Sequence, residues 1–120
     1  MPYIATCHCG AITLEVKRAP RTLTECNCSI CRRYGTLWAY YNESTVRVRS
    51  ARGARASYAW GPKNLLFNHC KRCACITHHQ RARKTAQSTV GVNARLFDPA
   101  VIARARVRKL DGADTWKYLE

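Results

Sequence analysis

Three short cysteine clusters carry most of the chemistry available to this 120-residue chain, and together they hold all eight cysteines. They are Cys7-His8-Cys9-Gly10, Cys26-Asn27-Cys28-Ser29-Ile30-Cys31 and Cys70-Lys71-Arg72-Cys73-Ala74-Cys75. A Cys-x-x-Cys turn lets two sulfurs reach one tetrahedral Zn²⁺ at about 2.3 Å, and structural zinc usually takes two such pairs from separate parts of a chain. Disulfides need an oxidising compartment, of which the sequence gives no sign. The clusters therefore favour metal ligation.

The middle cluster differs from the other two because it supplies three thiols within one short segment. Cys26, Cys28 and Cys31 can ligate one metal by themselves and leave its fourth position to water or substrate. That pattern is typical of a catalytic zinc. A fourth protein ligand would close the site and make it structural, and the candidates for it are Cys75, His78 and His79. The spacing alone leaves both interpretations open.

Size, charge and the first residues limit the setting in which such a site works. The length is that of one domain, and the formal net charge of +14 favours anionic partners, which are nucleic acid, acidic membrane surfaces or small molecules that carry carboxylates. The segment before Cys7 leaves no room for a signal peptide, which predicts a cytoplasmic protein with reduced thiols. The sequence also has no apolar run of the roughly 20 residues that cross a bilayer, so we expect no membrane partner. We expect a monomer or a homodimer.

Alternating apolar and polar residues predict a mainly β fold. This period is clear at Ile12–Val16, at Val46–Arg49 and at Val101–Val107. Shorter β-branched or aromatic stretches bounded by turn residues predict further strands at 37–41, 57–60, 64–67 and 88–92. Helix is favoured only at Ser29–Tyr34 and at Asn93–Phe97, the latter ending before Asp98-Pro99. The expected architecture is one small domain, residues 1–120, of short antiparallel strands with zinc-binding loops.

Four motifs occur in a fixed order along the chain. They are Cys7-x-Cys9-Gly10, Cys26-x-Cys28-x-x-Cys31-Arg32, Cys70-x-x-Cys73, and Val92-Asn93-Ala94-Arg95-Leu96 leading to Asp98. In order and spacing they resemble the glutathione-dependent formaldehyde-activating enzyme family, whose domain also occurs in relatives of centromere protein V. The sequence departs from that family after Cys73, where Ala74 and Cys75 replace a glycine and a small polar residue.

The resemblance implies a small β-tent zinc fold with two Zn²⁺ per chain. It implies that the structural zinc is held by Cys7, Cys9, Cys70 and Cys73. It also implies that Cys26, Cys28 and Cys31 hold a second, catalytic zinc near which the thiol of glutathione binds. The implied activity is that of a carbon–sulfur lyase, which forms or cleaves S-hydroxymethylglutathione from glutathione and formaldehyde.

Arginines near the clusters suggest two kinds of anionic partner. Arg32 and Arg33 follow Cys31 directly and are placed to pair with the carboxylates of glutathione or of another acidic thiol. The Arg47–Arg55 run and the Arg104–Lys109 stripe could instead grip phosphates of nucleic acid without reading bases.

Three hypotheses follow from these residues. The first is a zinc enzyme that acts on thiol–aldehyde adducts. The second is a basic zinc module that binds nucleic acid. The third is a non-catalytic zinc- or thiol-binding protein in which both metals are structural or exchangeable.

Overall fold

Ten strands and two short helices make up the computed structural model, which describes residues 2–61, 64–85 and 87–120. The strands are β1 (Tyr3–Thr6), β2 (Ile12–Val16), β3 (Thr22–Cys26), β4 (Trp38–Asn42), β5 (Val46–Ser50), β6 (Arg55–Trp60), β7 (Leu65–Cys70), β8 (Ile76–Arg81), β9 (Thr89–Asn93) and β10 (Arg106–Leu110). The helices are α1 (Ser29–Tyr34) and α2 (Pro99–Arg104). The predicted mainly β fold is confirmed. Across these ranges we find no helix with the length and apolar character that spanning a membrane requires.

The strands form two sheets. The small sheet has the order β1-β2-β5, and the large sheet has the order β10-β3-β4-β9-β8-β7-β6. Neighbouring strands are antiparallel, except that β10 runs parallel to β3, with Leu110 opposite Cys26. This register brings the end of the chain beside the middle cysteine cluster.

The main core lies between the two sheets. Ile12, Leu14 and Val16 alternate along β2, so all three point inward and are almost completely buried. Leu23 and Ala39 of the large sheet belong to the same apolar cluster. Burial of each large aliphatic side chain contributes about 1.5–3 kcal/mol. The small sheet is therefore held against one face of the large one.

A second apolar cluster gathers around the middle cysteines. It contains Trp38 of β4 and Phe67 of β7, and Trp38 is on the opposite side of β4 from its neighbour Ala39 in the main core. Cys26, Cys28 and Cys31 pack into this cluster. The large sheet thus separates the main core from the middle cysteines.

Most predicted strands are found within a few residues of their expected bounds, but the one predicted at Val101–Val107 is wrong over most of its length. Helix α2 begins at Pro99, and the Asp98 carboxylate caps it by accepting a hydrogen bond from the Ala100 N–H at 2.9 Å. Strand β10 starts only at Arg106. A proline at the first helical position and an aspartate before it are strong start signals, and here they outweigh the alternation.

The helix predicted at Asn93–Phe97 is also wrong over part of its length, because the start signals at Asp98 and Pro99 belong to the next helix. Only residues Ala94–Leu96 are helical, as a 3-10 turn. Pro99 begins the next helix rather than ending this one.

Two adjacent histidines are buried in β8. His78 is fully buried, and His79 packs edge-on against Trp38, with ring centroids 4.6 Å apart. A Cβ at Gly91 would overlap the His79 ring, so this glycine of β9 makes room for it. Burial lowers the pKa of each imidazole to about 4, and the positive charge of Arg55 contributes at His78. Both rings are therefore neutral at pH 7.

These pKa values predict that acid destabilises the fold. In the unfolded chain a histidine binds a proton below about pH 6.5, whereas in the folded chain it does so only near pH 4, so stability falls as pH falls through this window. Between pH 7 and pH 5 each ring should lower the free energy of unfolding by about 2 kcal/mol. Denaturant unfolding at the two pH values measures this loss.

His79→Leu provides the matched control for that measurement. The variant keeps an apolar side chain between Trp38 and Gly91 and leaves every cysteine in place, so acid release of a bound metal affects both proteins equally. The variant should lose about 2 kcal/mol less than the wild type over the same pH interval. An identical pH dependence of stability in the two proteins would show that protonation of His79 does not destabilise the fold.

Candidate metal centres and the adjoining pocket

The first cluster brings together four thiols from two turns. Cys7 and Cys9 lie in the turn between β1 and β2, while Cys70 and Cys73 lie at the turn between β7 and β8. All four sulfurs are within 4.8 Å of one another, with 3.8 Å between Cys7 Sγ and Cys9 Sγ and 3.6 Å between Cys9 Sγ and Cys70 Sγ. Four sulfurs placed tetrahedrally around Zn²⁺ are about 3.8 Å apart. The donor set and its spacing fit a closed four-thiolate site.

Backbone N–H groups point at these sulfurs. Ile12 N donates to Cys7 Sγ at 3.3 Å, and Arg72 N donates to Cys70 Sγ at 3.4 Å. Hydrogen bonds from backbone N–H groups, that of Cys75 foremost, lower the pKa of Cys73 to about 5. Such bonds favour the thiolate, which is the form that binds metal.

The second cluster consists of the three middle cysteines. Cys26 ends β3, Cys28 caps the N-terminus of α1 and Cys31 lies within that helix. Their sulfurs are within 4.8 Å of one another, and the three side chains are 4–7% exposed. The structure therefore brings all three predicted ligands together in a partly enclosed triad.

Two hydrogen bonds orient this triad. Cys31 N donates to Cys28 Sγ at 3.4 Å, and the indole N–H of Trp38 donates to Cys31 Sγ at 3.3 Å. Burial acts to raise the pKa of Cys28, but hydrogen bonds, chiefly from the Cys31 N–H, outweigh it and hold that pKa below its ordinary value. Burial raises the pKa of Cys31, and the Trp38 N–H opposes this rise. This cluster has one sulfur fewer than the first, so a tetrahedral metal here would need a fourth ligand from elsewhere.

None of the three candidate fourth ligands joins the triad in the described ranges. Cys75 is half-buried and packs against the main core, outside both clusters. His78 and His79 occupy β8, where the ring of His79 lies against Trp38. His8, between two ligands of the first cluster, is exposed.

A pocket of about 380 Å³ opens beside the triad. Cys26 and Cys31 form part of its wall, and the other lining residues are Glu25, Asn27, Arg32, Gly35, Thr36, Arg95, Lys109, Leu110 and Leu119. Three of these side chains are cationic and one is acidic. The Thr36 hydroxyl is buried and has no hydrogen-bond partner in the described part of the chain. Buried polar groups normally have partners, so this hydroxyl is an exception among the residues that line the pocket.

The structure separates the two arginines that the sequence places side by side. Arg32 lines the pocket of the triad, whereas Arg33 lines a different cavity of about 300 Å³ with Tyr58 and Trp60. There Arg33 Nη1 donates to the carbonyl of Ser29 at 2.7 Å. Of the two, only Arg32 is therefore placed to contact a molecule bound beside the triad.

Sequence reasoning did not place Thr36, Arg95 or Lys109 at this site, although each lines the pocket, and it considered Lys109 only as the end of the basic stripe. Of the three, only Arg95 could have been recognised from the sequence, because it lies in the late motif. Its Nε donates to the Gly35 carbonyl at 2.6 Å, which fixes the guanidinium next to the C-terminal end of α1. Thr36 and Lys109 have no distinctive spacing and are recognised only by their position.

Part of the predicted basic stripe is paired with an acid. The Glu120 carboxylate lies 3.0 Å from Arg106 Nη2 and 2.7 Å from Arg108 Nε. Arg108 also stacks over the ring of Tyr118, with 3.8 Å between its Cζ and the ring centroid. These arginines therefore have partners within the chain.

Fold and site together define a small β-rich protein with one four-thiol cluster and one three-thiol cluster suited to metal. The model of the family described as glutathione-dependent formaldehyde-activating enzyme matches residues 2–109. The chain belongs to this family, which confirms the resemblance seen in its cysteine motifs and associates it with glutathione and formaldehyde. It is also similar to a Rhodobacter sphaeroides protein of known crystal structure, at 29% sequence identity and a TM-score of 0.70, over 87% of this chain and 98% of that one.

The contrast between the clusters predicts how metal content responds to substitution. We expect the purified wild type to hold two metal ions per chain and Cys28→Ser to hold one and remain folded, because the triad lies outside the main core. Cys70→Ser should also lose one ion and in addition lower thermal stability, since Cys70 is fully buried in that core. Elemental mass spectrometry and thermal unfolding measure both effects.

Cys75→Ser is the control, because Cys75 is half-buried beside the first cluster but is not part of it. It should keep both ions. A lower metal content in this variant would make Cys75 a ligand and contradict the four-plus-three division.

Proposed function

We propose that this protein is a zinc enzyme of the carbon–sulfur lyase type that forms or cleaves thiol–aldehyde adducts such as S-hydroxymethylglutathione. In this proposal residues 1–120 form one cytoplasmic domain with two Zn²⁺. Cys7, Cys9, Cys70 and Cys73 hold the structural ion, and Cys26, Cys28 and Cys31 hold the catalytic one. The observation that carries the proposal is the three-thiol cluster, two of whose cysteines line a cationic pocket.

The charge of the pocket supports an anionic thiol as substrate. Glutathione carries two carboxylates and one ammonium group at pH 7. Arg32, Arg95 and Lys109 offer cationic partners for carboxylates, and Glu25 offers an acidic partner for the ammonium group. A volume of about 380 Å³ is within the usual range for sites that bind small molecules. We assign the closest carboxylate contact to Arg32, because it follows the ligand Cys31 directly in α1.

Zn²⁺ bound by three thiolates would supply a Lewis acid, which lowers the pKa of a thiol or polarises a carbonyl. The chain's own residues orient the reactants around it. The Trp38 N–H holds the Cys31 sulfur in place, and the cations of the pocket wall, Arg32 foremost, hold the carboxylates of the thiol. The net reaction adds the thiol S–H across the aldehyde C=O, so a C–S bond forms and the thiol proton ends on the new hydroxyl group.

The two other hypotheses have less support from the described residues. A role in which both metals are purely structural needs no pocket beside the triad. Nucleic-acid binding through the Arg104–Lys109 stripe is weakened because Glu120 pairs with two of its arginines. The carboxylates of a small thiol would instead meet the three cations of the pocket.

The proposal is tested by following exchange of ¹³C-formaldehyde with glutathione by NMR. Formaldehyde hydrate and S-hydroxymethylglutathione interconvert slowly without a catalyst, and the protein should increase their exchange rate. Cys28→Ser should remove this increase and Cys75→Ser should preserve it. If metal-loaded wild type left the exchange rate unchanged, the protein would be a non-catalytic zinc- or thiol-binding member of the family.

Arg32→Ala and Arg33→Ala form a matched pair that tests the anionic substrate. Loss of one charge-assisted hydrogen bond should raise the KM for glutathione about ten- to a hundredfold in Arg32→Ala. Arg33 lines the other cavity, so Arg33→Ala should leave the KM close to that of the wild type. Equal effects in the two variants would point to the general charge of the protein rather than to a specific contact.

A further inference from the structure

The chain ends in a segment that folds back over the second cysteine cluster. We infer that this C-terminal segment (residues 111–120) is the outer wall of the substrate pocket, that Asn27 holds it in place, and that it limits the size of the molecules that reach Cys26. The inference deepens the proposed function, since it concerns access to the same site. The family model ends at residue 109, so the segment lies outside the region that the family match covers.

Gly112 brings the backbone of the segment directly onto the cluster. This glycine is buried, and a Cβ at its position would overlap Cys26 Sγ and lie 3.3 Å from the Cys28 Cβ. The approach is therefore closer than any side chain allows. One side of the Cys26 sulfur is covered by the segment.

Asn27, the residue between two of the predicted ligands, binds the segment through both atoms of its amide. Its Nδ2 donates to Asp111 Oδ1 at 3.0 Å, and its Oδ1 accepts a hydrogen bond from the Ala113 N–H at 2.9 Å. Its backbone N–H also donates to the Leu110 carbonyl at 3.2 Å. We call the two side-chain hydrogen bonds the Asn27 latch.

Asp111 organises the turn that follows the latch. Its Oδ2 accepts from the Thr115 hydroxyl at 2.9 Å, and its carbonyl accepts from the Trp116 N–H at 2.7 Å. Trp116 adopts a left-handed backbone conformation, with φ of 59°, and is 64% exposed. A bulky residue in this conformation is a strained exception. The turn thus keeps the indole beside Gly112, 3.5 Å from the position of a Cβ on that glycine.

The end of the segment is bound to the large sheet. The Leu119 N–H donates to the Lys109 carbonyl at 2.8 Å, and the Tyr118 hydroxyl lies 2.9 Å from Thr24 Oγ1. Leu119 contributes an apolar side chain to the pocket wall. The wall is therefore fixed at both ends, with the Asn27 latch at the end nearer the cysteines.

Accessibility of Cys26 measures the effect of the wall directly. The protein as purified is treated with iodoacetamide, which is small, or with fluorescein-5-maleimide, which is bulky, and alkylation of Cys26 and Cys7 is followed by peptide mass spectrometry. Cys7 belongs to the first cluster and reports general unfolding or loss of metal. Asn27→Ala removes both hydrogen bonds of the latch, and we expect the bulky reagent to alkylate Cys26 about tenfold faster with Cys7 unchanged.

An exchange of partners separates the latch from damage to the metal ligands. Asn27→Asp sets two carboxylates against each other and should open the wall. Adding Asp111→Asn restores one donor and one acceptor, so the double variant should return to within about twofold of the wild-type rate. If the new carboxylate harmed the metal site instead, the double variant would stay as reactive as the single one. Asp114→Asn, a neighbouring acid outside the latch, is the matched control and should leave the rate unchanged.

Three results would overturn the inference: an unchanged rate at Cys26 in Asn27→Ala, an equal increase at Cys7, or no recovery in the double variant. The measurement contains neither aldehyde nor glutathione. It can therefore succeed even if the protein proves non-catalytic, and it can fail even if the NMR exchange assay is positive.

Discussion

Sulfur atoms from two turns 61 residues apart in the chain lie 3.6 Å from each other, and this approach joins the two sheets. One turn connects β1 and β2 of the small sheet, and the other connects β7 and β8 of the large sheet. Thiolates this close repel one another unless a cation lies between them, whereas neutral thiols gain only weak hydrogen bonds. The position of the small sheet, and with it the burial of Ile12 and Leu14, is therefore coupled to the charge state of the first cluster.

The second cluster does not join the two sheets. Its sulfurs pack with Trp38 and Phe67, away from the main core, and no fourth ligand approaches within the described ranges. A set of only three thiols can persist there because the two sheets are already joined by the first cluster. Other groups pack against the sulfurs of the second cluster, namely the Trp38 N–H, which donates to Cys31, and the backbone of Gly112, which lies against Cys26. The cysteines that join the sheets and the cysteines that line the pocket thus belong to different clusters.

Local patterns in the sequence were enough to predict most of the strands and the three-cysteine group, whereas the four-cysteine group was predicted from the family resemblance. Alternation identifies a strand such as β2 because each of its buried side chains meets the same core. It fails at residues 101–105, where the capping bond from Asp98 and the fixed φ of Pro99 determine the conformation before side-chain alternation can act. The pocket was harder to predict, since Thr36 and Lys109 become neighbours only through the parallel pairing of β10 with β3. Likewise, nothing in the spacing of Arg32 and Arg33 reveals that α1 directs them to different cavities.

The charge of the protein acts at two distances. A net charge of +14 raises the local concentration of any anion, and this long-range attraction weakens as salt is added. Discrimination between different anions needs cations whose charge is not already neutralised by a neighbouring acid. Arg106 and Arg108 share the carboxylate of Glu120 on the outside of β10, whereas Arg95 is held by a neutral carbonyl and keeps its full charge toward the pocket. In the proposed function, general attraction would bring anions to the surface, and the residues around Cys26 and Cys31 would decide which of them bind.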